Sequence, residues 1–374
     1  MVITRLFKKF LQLNNFGSFL LLFCFIVAIF IENSNYAQSF KVVLNSNILG
    51  LTVTNWVNEA LMTIFFLQVG LEIKREIVKG ELADFKIAAL PIFGAIGGMI
   101  VPALIYYLFT YKTIYSKGFG IPMATDIAIS LAVINMFGKI IPLSLKVFLA
   151  ALAIIDDLGA IVVIALFYTK QIEWFYLIMA ILFVIITIVI SYNKITSIFI
   201  YLPLMILLWL ALYHCGIHPS IAGAIIALCY PFKNYKNDEK NMILLNKTTT
   251  YFIVPVFILV NALININNLN GLINSYNLGI FFGLTIGKPL GILLLVWLSI
   301  KLNFAKLSNG LNFKHILGAG IVAGIGFTMS IFISLLAFEN QNQLNAVKLI
   351  ITLAGITSIL ISIIYFKLIN KVRF

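Results

Sequence analysis

Residues 148–167, FLAALAIIDDLGAIVVIALF, form an apolar run of helix length that carries two adjacent carboxylates, Asp156 and Asp157, near its centre. No other stretch narrows the fold so far. A run of about twenty apolar residues is what crosses ~30 Å of hydrocarbon. An ionised carboxylate there costs about 2.5–3.5 kcal/mol on insertion scales, so acids at that depth usually line an ion or proton path. One acid would be enough to pin one helix to another; a side-by-side pair asks for more. The rest of the chain agrees with a membrane setting. Of its 374 residues 62% are hydrophobic and 10% charged, with a mean hydropathy of +1.07. That excludes a soluble globular domain and predicts an all-α polytopic membrane protein.

About twelve spans are expected, near 10–31, 56–78, 87–109, 119–137, 143–168, 174–192, 196–213, 217–232, 248–266, 277–300, 315–337 and 345–368. The positive charges support that count. Alternate connections, beginning with the N-terminus, hold twenty of the 26 Lys and Arg; the other connections hold five, and Lys288 lies inside a span. The positive-inside rule then puts both termini in the cytoplasm. It also accounts for the net charge of +13 without nucleic acid as a partner. The first run follows Arg5, Lys8 and Lys9 with no small-residue cleavage site, so it reads as a retained span rather than a signal peptide. Cys24, Cys215 and Cys229 are odd in number and lack CxxC spacing, which argues against a disulfide framework or a zinc site.

Three connections have content. Residues 32–55 form the longest external one and include a β-prone stretch that suggests a short hairpin. Residues 72–86 mix Glu72, Lys74, Arg75, Glu76, Lys79, Glu81, Asp84 and Lys86, which on their own favour a solvated helix end with local ion pairs. Residues 233–247 are polar and basic and read as a loop.

Two further charges fall inside spans: Asp126 in GFGIPMATDIAISLA and Lys288 in FFGLTIGKPLGILLL. Three acids and one base cannot all neutralise one another, so one acid must be protonated, hydrated or awaiting a cation. Gly118, Gly120 and Pro122 precede Thr125 and Asp126, and Gly318, Gly320, Gly324 and Gly326 precede Thr328. Small residues at such spacings often do no more than let helices approach closely. Their ranks say more. One segment is second among spans 3–5, the other second among spans 10–12, and they enter from opposite sides. That pattern predicts inverted-topology repeats over 87–168 and 277–368, with broken spans 4 and 11 meeting at mid-membrane and the other spans forming an interface panel. Paired half-helix N-termini would suit an acid and paired C-termini a base; Asp126 and Lys288 are placed to supply them.

At this level the sequence resembles the NhaA-type sodium/proton antiporters. The residues that carry the resemblance are FFLQVGLEIKRE (65–76), AIGGMIVPALIY (95–106), IPMATDIAISLAV (121–133), LKVFLAALAIIDDLGAIVVIALFYT (145–169), GIHPSIAG (216–223), IGKPLGI (286–292) and GIGFTMSIFIS (324–334). The resemblance implies that Asp157 is the principal sodium- and proton-binding carboxylate, with Asp156 as a partner that exchanges a proton or ion pair with Lys288. It implies that Asp126 and Thr125 support the site at the broken fourth span, Thr125 joining Asp156 and Asp157 around the transported Na+. Glu72, Arg75, Glu76 and His218 match positions that line a cytoplasmic entrance and sense pH. The family's acidic and histidine-containing element has no counterpart in NKTTTYFIVP (246–255), and the 32–55 connection is shorter than the resemblance leads one to expect.

The expected activity is secondary active exchange of Na+ or Li+ for H+, electrogenic and pH-regulated, in a bacterial inner membrane. No cofactor or enzymatic step is implied, the lipid bilayer is the necessary partner, and a homodimer is compatible with the pattern. Two rival classes are an intramembrane aspartyl protease using Asp126 with Asp156, and a passive cation channel. The protease reading leaves Asp157 and Lys288 without a role.

Overall fold

Inside hydrocarbon no water satisfies the backbone, so each segment must pair its own N–H and C=O groups, and this chain does so almost wholly with helices. The computed structural model describes residues 5–80, 85–138, 141–169, 171–231, 235–266, 272–307 and 310–371. Helix α1 (Arg5–Glu32) is followed by α2 (Ala37–Leu44), a hairpin of β1 (Asn47–Ile48) and β2 (Leu51–Thr52), and the single turn α3 (Val53–Asn55). A π-helical turn at Trp56–Leu61 leads into α4 (Met62–Lys79). Next come α5 (Phe85–Thr110), a 3-10 segment (Ile114–Met123), α6 (Ile127–Met136) and α7 (Leu143–Phe167). They are followed by α8 (Trp174–Tyr192), α9 (Ile198–Cys215), α10 (Ile221–Cys229) and α11 (Tyr235–Thr248). The remainder holds α12 (Val254–Asn261), α13 (Ser275–Phe282), α14 (Lys288–Lys301), α15 (Phe313–Ala323), α16 (Phe327–Ala337) and α17 (Gln341–Lys371). Further π turns at Thr249–Ile253 and Gly283–Gly287 join α11 to α12 and α13 to α14.

Among the described residues eight helices are long and apolar enough to span a membrane, and three bent pairs bring the number to 11. The pairs are α1 turning into α2 by 111°, the 3-10 segment with α6 at 42°, and α15 with α16 at 51°. The last two are the broken spans expected at 119–137 and 315–337. The span expected at 217–232 is represented by the nine-residue α10, too short to cross alone. The hairpin in the 32–55 connection is present but minimal, pairing Asn47 with Thr52 and Ile48 with Leu51 around a turn with Leu49 and Gly50 both left-handed.

The loop expected at 233–247 is instead helical from Tyr235 onward. Met242, Leu245, Asn246 and Thr249 recur at i, i+3, i+4 and i+7 and turn inward, a helical period hidden in a charged run. Residues 81–84 and 232–234, which include Glu81, Asp84 and Lys233, lie outside the described residues.

The chain divides into two compact units. One is built mainly of Leu20–Val78 and Ile161–Leu263, the other of Lys79–Ala160 and Ile264–Phe374 with Leu11–Phe19. In the first unit, α8 explains why a bilayer is required. Only 11% of its apolar window is buried, its length of about 28 Å matches the hydrocarbon thickness, and exposed Trp174 and Tyr192 stand at its two ends. In water such a surface would aggregate. In the second unit, α14 packs along α5 and holds Lys288, fully buried, beside the breaks of the two bent pairs.

Candidate ion-binding site

The site forms where two helices stop short. Chain 124–126 interrupts one bent pair and chain 324–326 the other, each freeing backbone groups that a continuous helix would use. The two breaks satisfy each other in part: the Asp126 N–H donates to the Ile325 carbonyl at 2.7 Å. Glycine and proline set the interruptions, and the side chains at them do the chemistry.

Asp126 caps two helices at once. One carboxylate oxygen accepts from the Ile129 N–H at 3.0 Å, at the start of α6. The other accepts from the Thr328 N–H at 3.2 Å and the Thr328 hydroxyl at 2.6 Å, at the start of α16. A carboxylate between two helix N-termini meets the positive ends of both dipoles, the setting expected for an acid there. In the sequence Thr328 stands out only as the residue after a run of glycines. Its hydroxyl is one of the three donors on Asp126, and the threonine at the second position of a helix that follows a break was the available signal.

Lys288 and Asp156 form a buried ion pair, Nζ to Oδ2 at 2.9 Å, with both side chains fully excluded from solvent. The same ammonium donates to the Met123 carbonyl, which ends the 3-10 segment, so the cation does stand at a helix C-terminus. The equivalent carbonyl on the other bent pair, Ala323, receives the Thr125 hydroxyl at 3.1 Å. That hydroxyl lies closer to Asp156 Oδ2, at 2.6 Å. It has one proton for two acceptors. Asp156 Oδ1 is buried and accepts no hydrogen bond among the described residues. Asp157 is likewise buried, one residue on along α7, and near enough to Lys288 for the two charges to interact.

The residues that the resemblance leads one to expect at an entrance, Glu72, Arg75, Glu76 and His218, belong to the other unit. Glu72 on α4 is buried and accepts from Gln68 at 2.9 Å and from Asn246 of α11 at 3.3 Å, while Thr250 donates to the Asn246 side-chain carbonyl at 3.0 Å. Arg75 clasps its neighbour Glu76 through Nη2 at 2.6 Å and Nε at 3.2 Å. His218 sits in the turn before α10 with Nδ1 2.7 Å from the Ser220 hydroxyl. The 246–255 stretch, where the resemblance leads one to expect an acidic and histidine-containing element, therefore meets Glu72 through an amide. Asn246 near the end of α11 and Thr250 in the π turn that follows it, four apart, carried that signal.

Comparison with known proteins bears on this arrangement. The profile of a family described as Na+/H+ antiporter 1 matches residues 8–366. The chain is 44% identical to the Na(+)/H(+) antiporter NhaA of Flavobacterium psychrophilum over 98% of its own length and 97% of that protein's. The chain belongs to the NhaA family of Na+/H+ antiporters. Other NhaA relatives include NhaA 2 of Clostridium beijerinckii, 42% identical over 97% of this chain and 94% of that one. The NhaA of Cytophaga hutchinsonii is 40% identical over 99% and 97%. An NhaA family member is a transporter and not an enzyme, which removes the protease reading of Asp126 with Asp156. The engagement of Asp126 by three donors argues the same way, since a protease acid must reach a substrate.

Proposed function

We propose that this protein exports Na+, or the similarly hard Li+, in exchange for H+ by letting the two ions compete for Asp156 and Asp157. Asp157 is the principal binding carboxylate, Asp156 its partner, and Thr125 adds a hydroxyl oxygen; Asp126 supports the breaks and Lys288 balances Asp156. The observation that carries this reading is the buried Lys288–Asp156 pair, with Asp156 Oδ1 accepting no hydrogen bond among the described residues and a second carboxylate adjacent in sequence. One ammonium cannot neutralise two buried acids, so the pair favours taking up one more positive charge, as a proton or an alkali ion. Cation entry displaces protons and protonation displaces the cation.

The remaining elements follow from the same reading. Segments 87–168 and 277–368 act as two inverted core repeats with the other spans as a panel, in a bacterial inner membrane with both termini cytoplasmic and with a homodimer as a compatible assembly. More than one proton per sodium makes the cycle electrogenic, and each net charge then draws about 2.3 kcal/mol per 100 mV. Glu72, Arg75, Glu76 and His218 adjust activity to pH from the entrance.

The test is reconstitution into proteoliposomes with an internal pH dye. The parent chain should collapse an imposed proton gradient when Na+ is added, and Asp157→Asn should not. A passive channel would pass sodium with no proton gradient and no proton counterflow, and finding that would overturn the proposal.

A further inference from the structure

The two broken helices correspond rank for rank. Met123 and Ala323 end their first halves, Ile127 and Phe327 begin their second halves, and a serine stands four residues past each break, Ser130 and Ser330. Both serines are fully buried. The Ser130 hydroxyl donates to the Val322 carbonyl at 3.2 Å, and the Ser330 hydroxyl donates to the Ile121 carbonyl at 2.8 Å. Each therefore reaches into the last turn of the other helix's first half. A serine inside a helix ordinarily returns its proton to a carbonyl one turn back on its own helix, as Ser299 does to Val296 and Ser334 to Ile331. These two do otherwise, and the exchange is mutual. At Gly326 an added Cβ would come within 2.1 Å of the Ser330 hydroxyl oxygen, so the serine that crosses the break requires a glycine there.

We propose that Ser130 and Ser330 are reciprocal positioning residues that lock the two breaks into one piece. They hold Thr125, Asp126 and the Ala323 carbonyl in register with Asp156, and thereby set how tightly the site takes its cation. Neither touches the ion. This rests on the exchange reading above. Because Na+ and H+ compete, weaker cation binding at a fixed Na+ concentration above its KM must also displace the pH profile toward alkaline values.

The experiment compares the full-length parent with Ser130→Ala, Ser330→Ala and the double variant in the same proteoliposomes, reading KM for Na+, maximal rate and half-activity pH. Each single variant should raise KM about twofold to threefold, and the double by about tenfold, more than the product, because one pin holds the breaks while the other is absent. A tenfold rise moves half-activity about one pH unit upward when the fixed Na+ concentration exceeds even the raised KM. Maximal rate per inserted molecule should change little. A merely structural role would lower the amount of working protein and leave KM and the pH profile as they are; that result overturns the proposal. Should the double variant fail to insert, parental KM in both single variants overturns it equally. A parent that exchanges normally while the variants match it removes only the pins, whereas a parent that does not exchange removes the functional reading and the pins together.

Discussion

Lys288 holds its charge in a place where water cannot help it, and its two partners, Asp156 and the Met123 carbonyl, are what make that tolerable. Replacing the lysine by alanine would strip the neutralising charge from Asp156 and leave a helix-terminal carbonyl bare. Breaking a buried pair from one side costs about 3–5 kcal/mol, because the surviving charge stays buried without compensation. Lys288→Ala should therefore lower the melting temperature in detergent clearly. Lys288→Ala combined with Asp156→Asn should recover part of the loss, since the orphaned charge is then gone; a double variant no more stable than the single would contradict this account. The charged members of the site were legible from the sequence, because an ionisable residue in an apolar run has little other reason to be there. Their hydrogen-bond partners were not. A serine or threonine hydroxyl in a helix can serve its own i−4 carbonyl, as Thr110, Thr187 and Thr285 do. Nothing local told Thr328, Ser130 or Ser330 to reach across instead.

Helix α14 brings Lys288 to the site by lying along α5 so closely that glycine faces glycine. An added Cβ on Gly291 would stand 2.1 Å from the Gly97 carbonyl oxygen, and one on Gly97 the same distance from the Gly291 carbonyl oxygen. Backbone cannot yield as a side-chain tip does, so the helices would have to part, one turn from Lys288. Gly291→Ala should destabilise the protein by about 1–3 kcal/mol and reduce transport. Gly355→Ala on α17 is the control: its Cβ would meet only Ile325 Cγ2, at 3.9 Å, and alanine is the better helix former. Thermal melts that rank the two variants equally would refute the argument. Breaks at 124–126 and 324–326 were readable because glycine and proline there leave few alternatives. The helix over Tyr235–Thr248 was not, since its charges outweighed an inward-facing period that only the packed structure makes plain. Nor was the shortness of α10, for hydropathy reports how apolar a stretch is and not where its helix begins.

The proposed alternating occupancy makes a demand on the transporter as a whole, beyond what a single substitution reads. If cation entry must expel protons, the two binding equilibria are linked, and the number of protons released fixes the slope of log KM for Na+ against pH. The sign follows from competition. Lowering pH fills the carboxylates with protons and raises KM; raising pH empties them and lowers KM, until the site is already deprotonated and the curve flattens. One competing proton gives about a tenfold fall in KM per pH unit on the sloping part, and two give up to about a hundredfold. Initial rates in proteoliposomes between about pH 6.5 and about pH 8.5, with Na+ varied at each value, would read that slope directly. The maximal rate at saturating Na+ should move much less than KM, because abundant cation outcompetes the proton. A steep slope in KM with a nearly level maximal rate would mean that competition at the carboxylates couples the two ions, with the Glu72, Arg75, Glu76 and His218 region modulating that response. If instead the maximal rate collapses at low pH while KM stays flat, the response resides in the Glu72, Arg75, Glu76 and His218 region, and competition at Asp156 and Asp157 is not what couples the two ions.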